Sequence, residues 1–187
     1  MSAPADYSYT ILSVGDSDMM RAGADLASEV EAVVPYHRDN LPAPMRIRDG
    51  GGTNSLTVLV VLGTTLFVAK HLTGKFLDDV YVQFQPRAKA FLEKIDTKLS
   101  GGNRKAKKLF TVSVWYEEYQ VLVSVSVAAA TFDDVAKQIP LVNDVHRNAL
   151  MWMAVHGIQK PVHHYRIEDG KVSPTPLLLD HFQATIS

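Results

Sequence analysis

Hydrophobic and polar positions follow two different periods along this chain, and the periods divide it into strands and helices. The clearest alternation runs from Leu109 to Val127. Phe110, Val112, Val114 and Tyr116 share one side of its first half, and Tyr119, Val121, Val123 and Val125 share one side of its second. A turn centred on Glu117 and Glu118 brings both sets to the same face of a hairpin, because strand side chains alternate with period two. That turn predicts the pairs Tyr116–Tyr119, Val114–Val121, Val112–Val123 and Phe110–Val125. The opposite face carries Thr111, Ser113, Ser124 and Ser126 beside Trp115 and Leu122, a semi-polar set expected to be partly covered.

Helical spacing dominates elsewhere. After a strand over Tyr7 to Val14, Ser17 or Asp18 can cap a helix whose apolar positions are Met19, Ala22, Leu26, Val30 and Val33, stopped by Pro35. Leu77, Tyr81, Phe84, Ala88, Phe91 and Ile95 form one stripe of a second helix, which Pro86 should kink or split. Leu56 to Leu72 is apolar and favours a buried helix. Val58, Val60 and Val61 leave a buried strand open at its start. Together these two segments predict a helical hairpin. Further on, Thr131 caps a helix with Asp133 and Asp134 in its first turn. Pro140 separates it from another over Leu141 to His156, which Gly157 ends. Val162 to Ile167 reads as a strand, Asp169-Gly170 as a tight turn and Lys171 to Ser173 as its return, after which Leu177 to Leu179 should pack back on the body. Pro35 to Asn54 is a loop rich in proline and glycine, with Met45 to Arg48 as a possible edge strand.

The order is β-α, a helical hairpin, then β-β-α-β. With the hairpin set aside it matches βαββαβ, the split βαβ order of ferredoxin-like sheets. The expectation is one α+β domain over residues 1–187, an antiparallel sheet packed on helices, with residues 53–100 as a helical insertion.

Composition narrows the functional classes. The chain has 187 residues, 47% hydrophobic and 21% charged, in the ordinary globular range. Cysteine is absent, which excludes disulfides and cysteine-based metal or redox chemistry. A net charge of −1 provides no global field for a polyanion. Met1 to Thr10 has no basic residue and no long apolar run, so no leader is expected there and a cytoplasmic location is. The apolar stretch Leu56 to Ala69, interrupted by Gly63, Thr64 and Thr65, falls short of the ~20 residues of a spanning helix.

Candidate chemistry is sparse. Arg104, Lys105, Lys107 and Lys108 form the one same-sign cluster and are a candidate anion-binding site, weighed against a solvated loop. Asp144, His146, His156 and His163 are a candidate polar site. His146 and His156 stand ten residues apart, which separates them by about 80° on a helix. His163 and His164 are adjacent on a strand and face opposite sides. No spacing forces two histidines together, so no metal is expected, and no cofactor. Gly50-Gly51-Gly52 lacks the Lys-Ser/Thr of a phosphate loop, and His37-Arg38-Asp39-Asn40-Leu41 reads as a solvated loop. With Tyr116 and Tyr119 on the core-facing side, a nucleic-acid stacking platform is disfavoured. The reading that remains is a non-enzymatic binding or regulatory protein acting through protein–protein contacts as a homo-oligomer. The alternatives are a small-molecule enzyme using the C-terminal histidines and Asp144, and a peripheral membrane protein attached through 56–72.

Overall fold

The computed structural model describes residues 7–12, 17–34, 60–69, 77–99 and 108–181. The glycine-rich loop at 50–52, the segment at 37–41 and the possible strand at 45–48 lie outside the described residues. Strand β1 (Tyr7–Leu12) leads to helix α1 (Ser17–Glu31), and β2 (Val60–Ala69) is followed by a π-helical turn, Leu77–Tyr81, continuous with α2 (Val82–Leu99). Then come β3 (Lys108–Tyr116), β4 (Val121–Ala129), α3 (Phe132–His156), β5 (Val162–Glu168) and two short strands, β6 (Lys171–Val172) and β7 (Leu177–Leu179).

The fold is α+β, with a mixed sheet rather than the expected antiparallel one. Its order is β1-β2-β3-β4-β5, with β6 and β7 pairing along the outer side of β5. The pairs β2/β3 and β4/β5 are parallel, and β1/β2 and β3/β4 are antiparallel. A split βαβ sheet interleaves its strands, whereas here each strand from β1 to β5 lies beside its neighbour in sequence. The difference begins at Val60–Ala69, which is a strand and not the first arm of a helical hairpin. Val60, Val61, Thr64, Thr65 and Val68 are β-branched and favour the extended chain. The segment also lies between β1 and β3, hydrogen-bonded to a strand on each edge. The register of β2 on β3 shifts between Val61 and Thr64, the interval containing Gly63, as an isolated strand glycine often signals.

Helices α1, α2 and α3 pack on one face of the sheet, with α2 between the other two. The core joins Leu26, Val30, Phe84, Phe91, Ile139 and Val142 of the helices to Val112, Val114, Val123 and Val125 of the sheet. Pro86 lies inside α2 without splitting it. Its missing amide falls opposite the carbonyl of Val82, one turn back and the first residue after the π-helical turn. Nor does Pro140 divide α3, which runs unbroken for 25 residues. Phe132, Val135, Ala136 and Ile139 before the proline and Val142, Val145 and Ala149 after it continue one buried stripe, and that packing offsets the local cost of about 3 kcal/mol. The caps of α3 are as expected. The Thr131 hydroxyl accepts from the Asp134 amide at 3.0 Å, and Gly157 closes the helix at φ 74°.

The β3–β4 register keeps the expected parity but is displaced by two residues. Val114 pairs with Val123, Val112 with Val125, Phe110 with Val127 and Tyr116 with Val121. The turn therefore spans Glu117 to Gln120. Gln120 adopts φ 51°, and its amide side chain donates to the Glu117 carbonyl at 2.7 Å. Tyr119 belongs to this turn and is exposed, not core-facing. On the other face, Thr111, Ser113, Trp115, Leu122, Ser124 and Ser126 are all buried rather than semi-covered. The β5–β6 turn is the expected tight one, with Asp169 at φ 50° and Gly170 at φ 76°. Gln138 of α3 accepts from the Gly170 amide at 2.8 Å and ties the turn to the helix layer. Leu177–Leu179 does pack back, as β7 on β5.

Candidate functional site

The C-terminal half of α3 crosses the helix-facing side of β5, and the residues of chemical interest gather along this crossing. On β5, His163 and Tyr165 point toward the helices and His164 points away, as period two requires. On α3, Trp152 and His156 stand one turn apart. The Trp152 indole stacks on the His156 ring at 4.5 Å between centroids and meets the His163 ring edge-on at 5.3 Å. His156 Nδ1 lies 3.0 Å from the Trp152 carbonyl. Two of the four candidate polar residues thus come together, around an indole.

The other two do not join them. His146 is fully buried against Tyr81, with ring centroids 6.2 Å apart. Burial holds its pKa down at about 4, and the Val112 backbone beside it offsets this only in part. Asp144 is exposed, and its charge adds to the burial that pushes the Tyr81 hydroxyl up. That hydroxyl donates to the Ile139 carbonyl at 3.1 Å. His163 is also lowered by burial. His164 lies on the second face, beside Ser124 in register, and is held at about 4 by burial and by the Arg166 charge. Neither nitrogen of His146, His163 or His164 makes a hydrogen bond of good geometry among the described residues. Among the described residues, no three His, Asp or Glu side chains are placed to hold a metal ion.

Of the candidate anion-binding cluster, Arg104, Lys105 and Lys107 lie outside the described residues. Lys108 opens β3 and places its ammonium 5.7 Å from the centre of the Phe132 ring. Trp115 and Tyr116 are buried, so neither offers a stacking face. The proposed membrane-attaching helix at 56–72 is overtaken by strand β2. No helix among the described residues is long and apolar enough to cross a membrane.

Beside the aromatic cluster, between α3 and the β5–β6 edge, lies a cleft of about 190 Å³. Val145, Asn148 and Trp152 form its helix wall, and Tyr165, Val172, Ser173 and Pro174 its sheet wall. Ser173 is committed elsewhere: its hydroxyl accepts from the Arg166 amide at 2.9 Å and donates to the Arg166 carbonyl at 3.2 Å. The Tyr165 hydroxyl is buried with no hydrogen-bond partner among the described residues, and burial raises its pKa to about 12, so it stays protonated. Outside the cleft, Met151 and Val155 of α3 are 68% and 78% exposed, and Val172 is also exposed.

Sequence reasoning missed Trp152, Tyr165 and Asn148. Two local signals point to the cluster: the Trp152/His156 spacing of one helical turn, and the shared face of His163 and Tyr165. The closure of the cleft by β6 has no local signal. No protein-family model, curated protein or solved structure matches the chain.

Proposed function

We propose that the protein is a non-enzymatic binding or regulatory protein that acts through contacts with other protein chains, as a homo-oligomer, using the outer surface of α3 near its C-terminus. The observation that carries this reading is the exposure of Met151 and Val155, one helical turn apart and flanking partly buried Trp152. Isolated exposed apolar residues are ordinary, but an apolar stripe along a helix beside a cleft favours association. A helix stripe is readily made self-complementary by a two-fold axis, the commonest symmetry of soluble oligomers. Full burial of each side chain contributes about 1.5–3 kcal/mol.

Light scattering coupled to gel filtration at micromolar concentration tests the reading. The wild-type chain should run as a dimer or larger. The M151D/V155D variant should run as a monomer with its melting temperature nearly unchanged, because both positions are exposed. A wild-type chain that stays monomeric across this range sinks the proposal.

A further inference from the structure

We infer that the outer edge of β1 is a self-association surface, at which β1 of a second copy adds antiparallel across a two-fold axis and brings the two α1 helices side by side. This contact is separate from the stripe proposed above, because α3 overlies β3, β4 and β5, toward the other end of the sheet.

Two observations converge. The first is the contrast between the two edges of the sheet. β1 ends the sheet on one side with six residues that include no charge, proline or glycine. On the other side β6 and β7 occupy the edge of β5 as pieces of two and three residues, with Lys171 in one and Pro174 and Pro176 between them. Lysine, proline and short broken strands keep a sheet edge from pairing with another chain, and β1 has none of these guards. Without charge, β1 can also lie against its own copy and set no like charges opposite each other. Directly opposed residues of an antiparallel pair lie on the same face of the sheet, so the two-fold axis passes through a residue, not between two. Five residues of each copy then pair, either 7–11 about Tyr9 or 8–12 about Thr10.

The second observation is the placement of α1, which overlies β1 and β2. Strands lie about 4.8 Å apart, so an axis beside β1 sets α1 and its copy about 10 Å apart, the spacing of packed helices. The flank of α1 that meets the copy is the one turned away from α2. Glu29, on the α2 side, bonds Arg87 at 3.3 Å. At roughly 100° per residue, Ala24 and Ala27 stand about 140° and 160° around the helix from Glu29. Ala24 is exposed and Ala27 partly buried, and side chains this small let two helices approach. Ala24 is also the midpoint of α1, as Tyr9 and Thr10 are of β1, so the axis that centres the strands centres the helices on Ala24.

An interface this small belongs among weak contacts, so pairing is expected on the order of 100 µM and not at the few micromolar that test the stripe. Sedimentation velocity on the M151D/V155D chain, which removes the stripe, should show monomer at about 5 µM and dimer at about 500 µM. In that background A24E sets one carboxylate from each copy between the helices. It should weaken the dimer about tenfold or more and leave the melting temperature nearly unchanged, because the position is exposed. The chain has no cysteine, so an introduced thiol reports its own position. With a short bismaleimide, A24C should join two copies and D144C, exposed on α3, should not. A chain that stays monomeric at the higher concentration would overturn the inference and leave the edge to a strand of another protein. A dimer indifferent to A24E, or equal cross-linking of A24C and D144C, would overturn it by placing the contact elsewhere. None of these readouts uses the stripe, so the failure of one proposal leaves the other standing.

Discussion

On one side of the β3–β4 hairpin stand Val112, Val114, Val123 and Val125, packed against the helices. On the other stand Thr111, Ser113, Ser124 and Ser126. Both sets are buried to the same degree. What differs is how each is reconciled with the loss of water. The valines need only close packing. The hydroxyls pair across the strands, Thr111 with Ser126 at 2.7 Å and Ser113 with Ser124 at 2.9 Å. A polar face need not be a wet face when its members satisfy one another in register. Buried histidines stand on both sides: His146 of α3 above the valines with His163 on the same side, and His164 beside Ser124.

The comparison is most severely tested by a charge on each face. Val123→Asp places a carboxylate in an apolar core and should cost more than about 4 kcal/mol, unfolding or aggregating the protein. Ser124→Asp should cost less but remain strongly destabilising, because its carboxylate lies in register with Ser113 and His164. Thermal melts rank the two. If Ser124→Asp melts like a surface variant, the second face is wet after all.

Acid probes His146 and His164 next. Both have folded pKa values near 4 against an ordinary 6.5, so the unfolded chain takes up protons that the folded chain refuses. Their contribution is complete above pH 6.5 and is lost as the pH falls toward 4, on the order of 3 kcal/mol for fully buried His146. Urea midpoints between pH 7.5 and 4.5 should drop accordingly, and H146F and H164Q should each flatten the curve. A midpoint indifferent to pH over that interval contradicts the burial of both rings.

A smaller effect sharpens the polar side. A double-mutant cycle on Ser113→Ala and Ser124→Ala should return a coupling of about 1 kcal/mol, measured by chemical denaturation. Zero coupling would mean that the two hydroxyls do not rely on each other. The baseline is Arg147→Ala. The Arg147–Asp78 contact of 2.6 Å joins two exposed side chains, and its loss should move stability by about 0.5 kcal/mol or less in the same assay.

Features set by a few adjacent residues were legible from the chain: the Thr131 cap, the Gly157 stop, the Asp169-Gly170 turn and the parity of the hairpin. The hairpin register was not, because turns of two and four residues preserve the same parity and alternation alone does not choose between them. Val60–Ala69 was misread because an uncharged apolar run suits a buried helix or a buried strand. Its pairing with β1 and β3 decides the matter, and those partners are remote in sequence. Sheet order was illegible for the same reason. The candidate polar site was half legible. His156 and His163 meet, but what they meet around, Trp152, and the cleft wall at Tyr165 arise only when α3 docks on β5.

The sequential sheet order also has a kinetic consequence. Every strand from β1 to β5 is hydrogen-bonded to its nearest neighbours along the chain, so no strand must wait for a distant one to be threaded between two others. The β3–β4 hairpin closes the shortest of these loops, which makes it the least entropically demanding nucleus. Assembly can then spread outward in both directions, adding α3 with β5 on one side and α2 with β2 on the other, and it reaches β1 last.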